Sequence, residues 1–173
     1  MSKMLFPKMA VSNIRKNKKL YVPYIITAIF TVMMFFMNIS IVKNKNVAAM
    51  RGGQNVVVLL QVALVVSFIF SAVFLFYTNS FLMKRRTKEI GLYNILGMEK
   101  KHISFMMLFE NVIITIISLT AGIVFGIIFS RLMFLVLMKL IKADSVPAFV
   151  ISTNAVVVTI IYFISIFAVI FIY

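Results

Sequence analysis

The chain has 173 residues, 63% hydrophobic and only 13% charged, with a mean hydropathy of +1.10. That balance excludes a water-soluble globular domain of this size and makes lipid the expected solvent. Eighteen Lys and Arg against four Asp and Glu leave a formal charge of +14, but the basic residues sit between apolar runs, unlike the interleaved charge of a nucleic-acid reader, so no nucleic-acid partner is expected.

Residues 1–20 form a basic N-terminal segment. Met4, Leu5, Phe6, Met9 and Ile14 can share one side of a helix whose other side carries Lys8, Arg15 and Lys18, which suits an amphipathic helix at the membrane interface. A loose basic tail that only sets topology is the competing reading, and Pro7 and Pro23 punctuate the stretch. Residues 21–42 then supply the ~20 apolar positions needed to cross a ~30 Å hydrocarbon layer. This run is too long for the apolar core of a signal peptide and no A-x-A site closes it.

A second span is expected at 56–82, a third at about 113–137 and a fourth at 150–173. Orientation follows the Lys and Arg count. Lys3, Lys8, Arg15, Lys16, Lys18 and Lys19 before the first span, and Lys84, Arg85, Arg86, Lys88, Lys100 and Lys101 between the second and third, put those flanks and the N-terminus in the cytoplasm. Lys43, Lys45 and Arg51 in one remaining connection, and Lys139 and Lys142 in the other, belong outside, with Arg131 close enough to the outer boundary to snorkel. The expected location is therefore a multi-pass position in a cell membrane, in contact with membrane lipid. Tyr173 ends an apolar run without the usual polar or basic flank, so the chain reads as the N-terminal piece of a larger permease.

Residues 83–102, MKRRTKEIGLYNILGMEKKH, are the most informative stretch. Ile90, Tyr93 and the Leu96/Gly97 pair recur at helical spacing with Leu92 and Ile95 beside them, which allows a short amphipathic helix along the membrane surface or in a partner's groove. Gly97 offers the helix its C-terminal stop. Glu89 among Arg86 and Lys88 gives mixed charge suited to registering against a protein. A solvated, topology-setting loop is the alternative. The third apolar stretch begins at Ile103, and Glu110 and Asn111 are costly in hydrocarbon, so 103–109 is expected to extend the helix as a stalk with Glu110 near the boundary. Gly122 and Gly126, with Ser118 and Ala121, make a small-residue face for close helix packing, within this bundle rather than between copies.

The sequence offers little for catalysis. Glu89, Glu99 and Glu110 lie in or beside the basic segment and Asp144 lies outside, so no carboxylate pair is placed for acid and base work. His102 beside Lys100 and Lys101 reads as interfacial. There is no cysteine, no HExxH and no phosphate-binding Gly-rich loop, so no catalytic, metal or cofactor site is expected and an ATP-driven process needs a second polypeptide. The spans also lack the buried acids of a proton-coupled carrier.

Lys84-Arg85-Arg86, Glu89-Ile90-Gly91, Leu96-Gly97-Met98, Ile103, Glu110 and the Gly122/Gly126 span together resemble the FtsX-like permease domain of type VII, MacB-like ABC transporters. The stretches AVSNIRKNKKLYVPYIIT and FYTNSFLMKRRTKEIGLYNILGMEKKHI are similar to the N-terminal part of bacitracin-export permeases, found in antimicrobial-peptide sensing and resistance modules. The resemblance covers most of the chain. It implies an all-α membrane bundle of four transmembrane helices, with an N-terminal interfacial helix and a cytoplasmic coupling helix. It also implies that an ABC-type ATP-binding subunit docks on that segment, with Arg86, Glu89, Ile90, Gly91, Tyr93, Leu96 and Gly97 as the contact set, and that the stalk carries movement to the spans by mechanotransmission. In such permeases further spans and a large extracellular domain follow, and a sensor histidine kinase is a common partner; the outward connections 43–55 and 139–149 are too short to be that domain. Another FtsX-like permease, acting in lipoprotein release or cell-division signalling, would place a large insertion after the first span, against which 43–55 argues. A non-transport membrane scaffold is the reading from a different class.

Overall fold

Long apolar runs leave the backbone one way to satisfy its own N–H and C=O groups away from water, which is to bond them within each segment as helix. The computed structural model describes residues 5–44, 53–140 and 152–172. The expected outward connections at 45–52 and 141–151, including Asp144, lie outside the described residues, as do residues 1–4 and Tyr173.

Five helices make up the described chain: α1 at Leu5–Lys16, α2 at Lys18–Val42, α3 at Gly53–Ile95, α4 at Lys100–Leu140 and α5 at Thr153–Ile172. The last four are long and apolar enough to cross a membrane. α2 and α5 match the first and fourth expected spans closely. α3 and α4 are 43 and 41 residues long, each well beyond a bilayer crossing. The segment expected to form a short surface helix after residue 82 is instead the continuation of α3 to Ile95, because Lys84, Arg85, Arg86, Lys88 and Glu89 are good helix formers and nothing there breaks the ladder. The extension expected at 103–109 is present as the first turns of α4.

The prolines do not interrupt the N-terminal helices. Pro7 sits in the first turn of α1, where its missing N–H would have no intrahelical partner, and Pro23 is carried inside α2. The break falls at Asn17, whose carbonyl accepts the N–H groups of Leu20 (2.9 Å) and Tyr21 (3.1 Å). α1 is ordered against the bundle through the fully buried Ala10 and the buried Asn13, while Lys8, Val11, Arg15 and Lys16 face outward.

The core lies between α2 and α4. Ala28, Val32 and Phe36 on α2 and Ser118, Gly122 and Gly126 on α4 form facing rows of four-residue spacing, all buried. In lipid there is no hydrophobic drive between helices, so contact depends on how closely the backbones approach. A Cβ added at Gly122 would stand 2.6 Å from the Cβ of Val32, and one at Gly126 would stand 2.7 Å from the Phe36 ring. α5 closes the bundle through an aromatic cluster: the Tyr162 ring stacks on both Phe35 (4.7 Å) and Phe68 (4.3 Å), with Phe163 edge-on to Phe35. The Tyr162 hydroxyl is satisfied by Ser71 at 2.8 Å and by the Phe68 carbonyl. Asn38 donates to Ser67 (3.0 Å) and Asn111 to the Phe167 carbonyl (3.0 Å), tying α2 to α3 and α4 to α5. Outside a narrow buried stripe of Ser71, Leu75, Leu82 and Arg86, α3 presents apolar side chains outward.

Candidate functional site

Helical periodicity puts Arg86, Glu89 and Tyr93 on one face of α3 and Met106 and Glu110 on one face of α4. The same spacing aligns Asn13, Asn17 and Tyr21 across the α1–α2 break. Because α3 and α4 form an antiparallel hairpin, Arg86 and Glu110, nearly equidistant from Gly97, meet at one height. The three faces converge there on a polar node inside an otherwise apolar bundle.

Glu110 is its centre. Its carboxylate takes the Arg86 guanidinium with both oxygens, Nη1 on Oε2 and Nη2 on Oε1 at 3.2 Å. Asn13 donates to Oε1 at 2.9 Å and the Tyr21 hydroxyl to Oε2 at 2.7 Å. Arg86, 1% exposed, also lies over the Tyr21 ring with its central carbon 5.2 Å from the centroid. Glu89 holds the outer edge, accepting from Asn17 at 2.8 Å and lying 3.7 Å from the Arg86 Nε. Tyr93 donates to the Asn13 side-chain Oδ1 at 3.4 Å. Desolvating an ion pair is expensive, and pairs of this kind persist where bidentate geometry and added hydrogen bonds satisfy the remaining polar positions. Here those added bonds come from α1 and α2, so the node locks the ends of four helices together.

Beyond the node α3 ends in a left-handed glycine. Gly97 has φ 84°, and the Met98 N–H reaches back to the Tyr93 carbonyl at 3.1 Å, the six-to-one bond of a Schellman stop. α4 restarts after Glu99, whose carbonyl accepts from His102 at 3.0 Å and whose carboxylate lies 3.7 Å from His102 Nδ1. The turn leaves Leu92, Ile95 (84%) and Leu96 (71%) exposed at the tip.

The residues expected to contact a partner thus divide between two faces. Arg86, Glu89 and Tyr93 turn inward to the node, Ile90 is half-buried, and Gly91, Leu96 and Gly97 are exposed. Sequence reasoning missed Asn13, Asn17 and Tyr21, whose four-residue spacing was the available signal, and it left Glu110 at the boundary without its cation. Among the described residues, no three His, Cys, Asp or Glu side chains come together to hold a metal.

The hairpin and α5 lie within a family match: the model of the FtsX-like permease C-terminal region matches residues 61–173. The chain belongs to the FtsX-like permease family. It is 32% identical over 160 residues to the uncharacterized ABC transporter permease YvcS of Bacillus subtilis (strain 168), covering 91% of this chain and 25% of that protein. It is 30% identical over 167 residues to the bacitracin export permease protein BceB of Bacillus subtilis (strain 168), covering 95% of this chain and 26% of the relative. The corresponding bacitracin export permease protein of Halalkalibacterium halodurans is 29% identical over 153 residues, 88% of this chain and 24% of that protein. The chain therefore spans about a quarter of the length of these relatives. As an FtsX-like permease with four apolar helices of spanning length, it is a multi-pass membrane protein. The node's cation, Arg86, its centre, Glu110, and the Gly97 turn all fall inside the matched region, whereas Asn13, Asn17 and Tyr21 precede it.

Proposed function

We propose that this chain is a transmembrane module of an ABC transporter permease of the bacitracin-export type, serving resistance to, or sensing of, cell-wall-directed peptide antibiotics. The names of two relatives and the excess of Lys and Arg around α1 and the 96–99 turn support this reading, with that end and the N-terminus in the cytoplasm. The partner at this end is an ABC-type ATP-binding subunit, and ATP hydrolysis belongs to that subunit. The observation that carries the proposal is one juxtaposition: an exposed apolar tip, Leu92, Ile95 and Leu96, backed directly by the Arg86–Glu110 node.

The mechanics follow from that arrangement. A subunit gripping the tip pushes on the end of a continuous helix, and the node passes the push to α4 and, through Asn13, Asn17 and Tyr21, to α1 and α2. The cytoplasmic ends then move as a unit, and α3 and α4 carry the displacement through the bilayer toward the remaining permease segments and extracellular domain of a longer relative. This is mechanotransmission and needs no substrate channel through these four helices.

Co-expression with an ABC-type ATP-binding subunit of a bacitracin-export transporter tests the docking. Ile95→Asp and Leu96→Asp are expected to abolish co-purification while leaving the unfolding midpoint in detergent unchanged, because neither side chain is packed in the bundle. Normal capture of the subunit by the double variant rules out the tip as its seat.

A further inference from the structure

A cavity of about 490 Å³ opens between α2, α3, α4 and α5, with Arg86 and Glu110 in its wall. One part of its wall is polar, formed by Tyr24, Asn79, Ser80 and Lys84; another is apolar, formed by Leu82, Ile114 and Ile170. The two parts meet where the apolar run of α3 gives way to its basic extension, which is the level at which lipid headgroups lie.

Two features of the polar wall have no use in the node. Tyr24 is 2% exposed, and among the described residues its hydroxyl has no hydrogen-bond partner. A buried hydroxyl without a partner is disfavoured, and one on a cavity wall is a donor awaiting an acceptor. Arg86 and Glu110 also line the cavity but neutralise each other, so Lys84, which meets no carboxylate among the described residues, sets its sign as positive.

We infer that this cavity is a phospholipid site, holding an anionic phosphodiester headgroup between the Lys84 ammonium and the Tyr24 hydroxyl, with the acyl chains leaving along the apolar wall. A free phosphate offers the same oxygens, but it is much smaller than the cavity and has nothing to place against Leu82, Ile114 and Ile170. Small-ligand sites occupy about 300–1,000 Å³, and a glycerophosphate headgroup with the start of its chains belongs in that range. The site uses none of the exposed tip and is independent of the docking reading.

Native mass spectrometry of the full chain, released from micelles containing either phosphatidylglycerol or phosphatidylcholine, tests the assignment. One phosphatidylglycerol is expected to stay bound at micellar concentrations where phosphatidylcholine is lost. Tyr24→Phe and Lys84→Gln are each expected to weaken its retention by about tenfold, the loss of one charge-assisted bond. Lys84 is exposed, so its replacement leaves the bundle folded even if Tyr24→Phe disturbs it. Lys88→Gln removes the same charge one turn further along α3, outside the cavity, and is expected to change nothing. Unaltered retention in Lys84→Gln, an equal loss in Lys88→Gln, or displacement of the lipid by equimolar inorganic phosphate would each overturn the assignment.

Discussion

Glu110 receives donors from Arg86, Asn13 and Tyr21 and is itself 3% exposed, so its charge is the one on which the others depend. Glu110→Gln keeps the shape but leaves the buried Arg86 guanidinium with only the half-buried Glu89, 3.7 Å from its Nε, as a counter-charge, so the expected cost is up to about 3–5 kcal/mol. Tyr21→Phe removes one hydrogen bond to a charged acceptor and keeps the ring beneath Arg86, so the expected cost is lower, about 1.5–3 kcal/mol. Replacing both members of the pair, Arg86→Met with Glu110→Leu, removes the buried charge but leaves the Asn13 and Tyr21 donors without their acceptor, so it is expected to restore only part of the loss caused by Glu110→Gln. Reversible unfolding in mixed micelles measures all of these, and a double variant as unstable as Glu110→Gln would show that the node is not a simple charge pair.

At the scale of the helix, α2 and α4 depend on what α4 lacks. Gly122→Ala puts a methyl group 2.6 Å from the Val32 Cβ, and overpacking of this kind is expected to cost about 1–3 kcal/mol. Val32→Ala in the same chain removes the Cγ1 that would also stand at 2.6 Å but keeps the Cβ, so it is expected to recover only part of that cost. Gly91→Ala is the control, since a Cβ there meets nothing within 4 Å, and on an exposed helical turn it is expected to stabilise by up to about 1 kcal/mol. The same micellar unfolding assay separates the three. The long α3 teaches a related point about boundaries. A change from apolar to basic residues at Leu82–Lys84 marks where lipid ends, but the helix ignores it and its backbone hydrogen bonding continues until Gly97 turns left-handed.

For the molecule as a whole, orientation is the property from which the proposed docking follows. The chain contains no cysteine, so single replacements give clean labelling sites. With a membrane-impermeant thiol reagent on intact cells, Lys43→Cys and Lys139→Cys are expected to react, and Lys16→Cys and Lys100→Cys to react only after the cells are opened. All four positions are exposed in the bundle. Labelling of Lys100→Cys from outside would invert the topology and remove the ATP-binding subunit from the tip.

Composition and the lengths of the apolar runs were enough to give four helices of spanning length, because that depends on how much each residue prefers water to hydrocarbon, but the Lys and Arg after Leu82 did not mark the end of α3, which runs on to Ile95. The small-residue pair Gly122 and Gly126 was legible for the same reason: its meaning lies in size. The node was not. Glu110 read as a carboxylate at a boundary and Arg86 as one of several basic residues, and nothing local distinguishes Arg86 from Arg85, which is exposed. Their pairing came from the register of the α3–α4 hairpin, and their enclosure came from α1 folding back through the Asn17 break to bring Asn13 and Tyr21 onto the same carboxylate. Contacts between residues distant along the chain depend on the angles and offsets at which helices pack, and those are collective properties of the bundle.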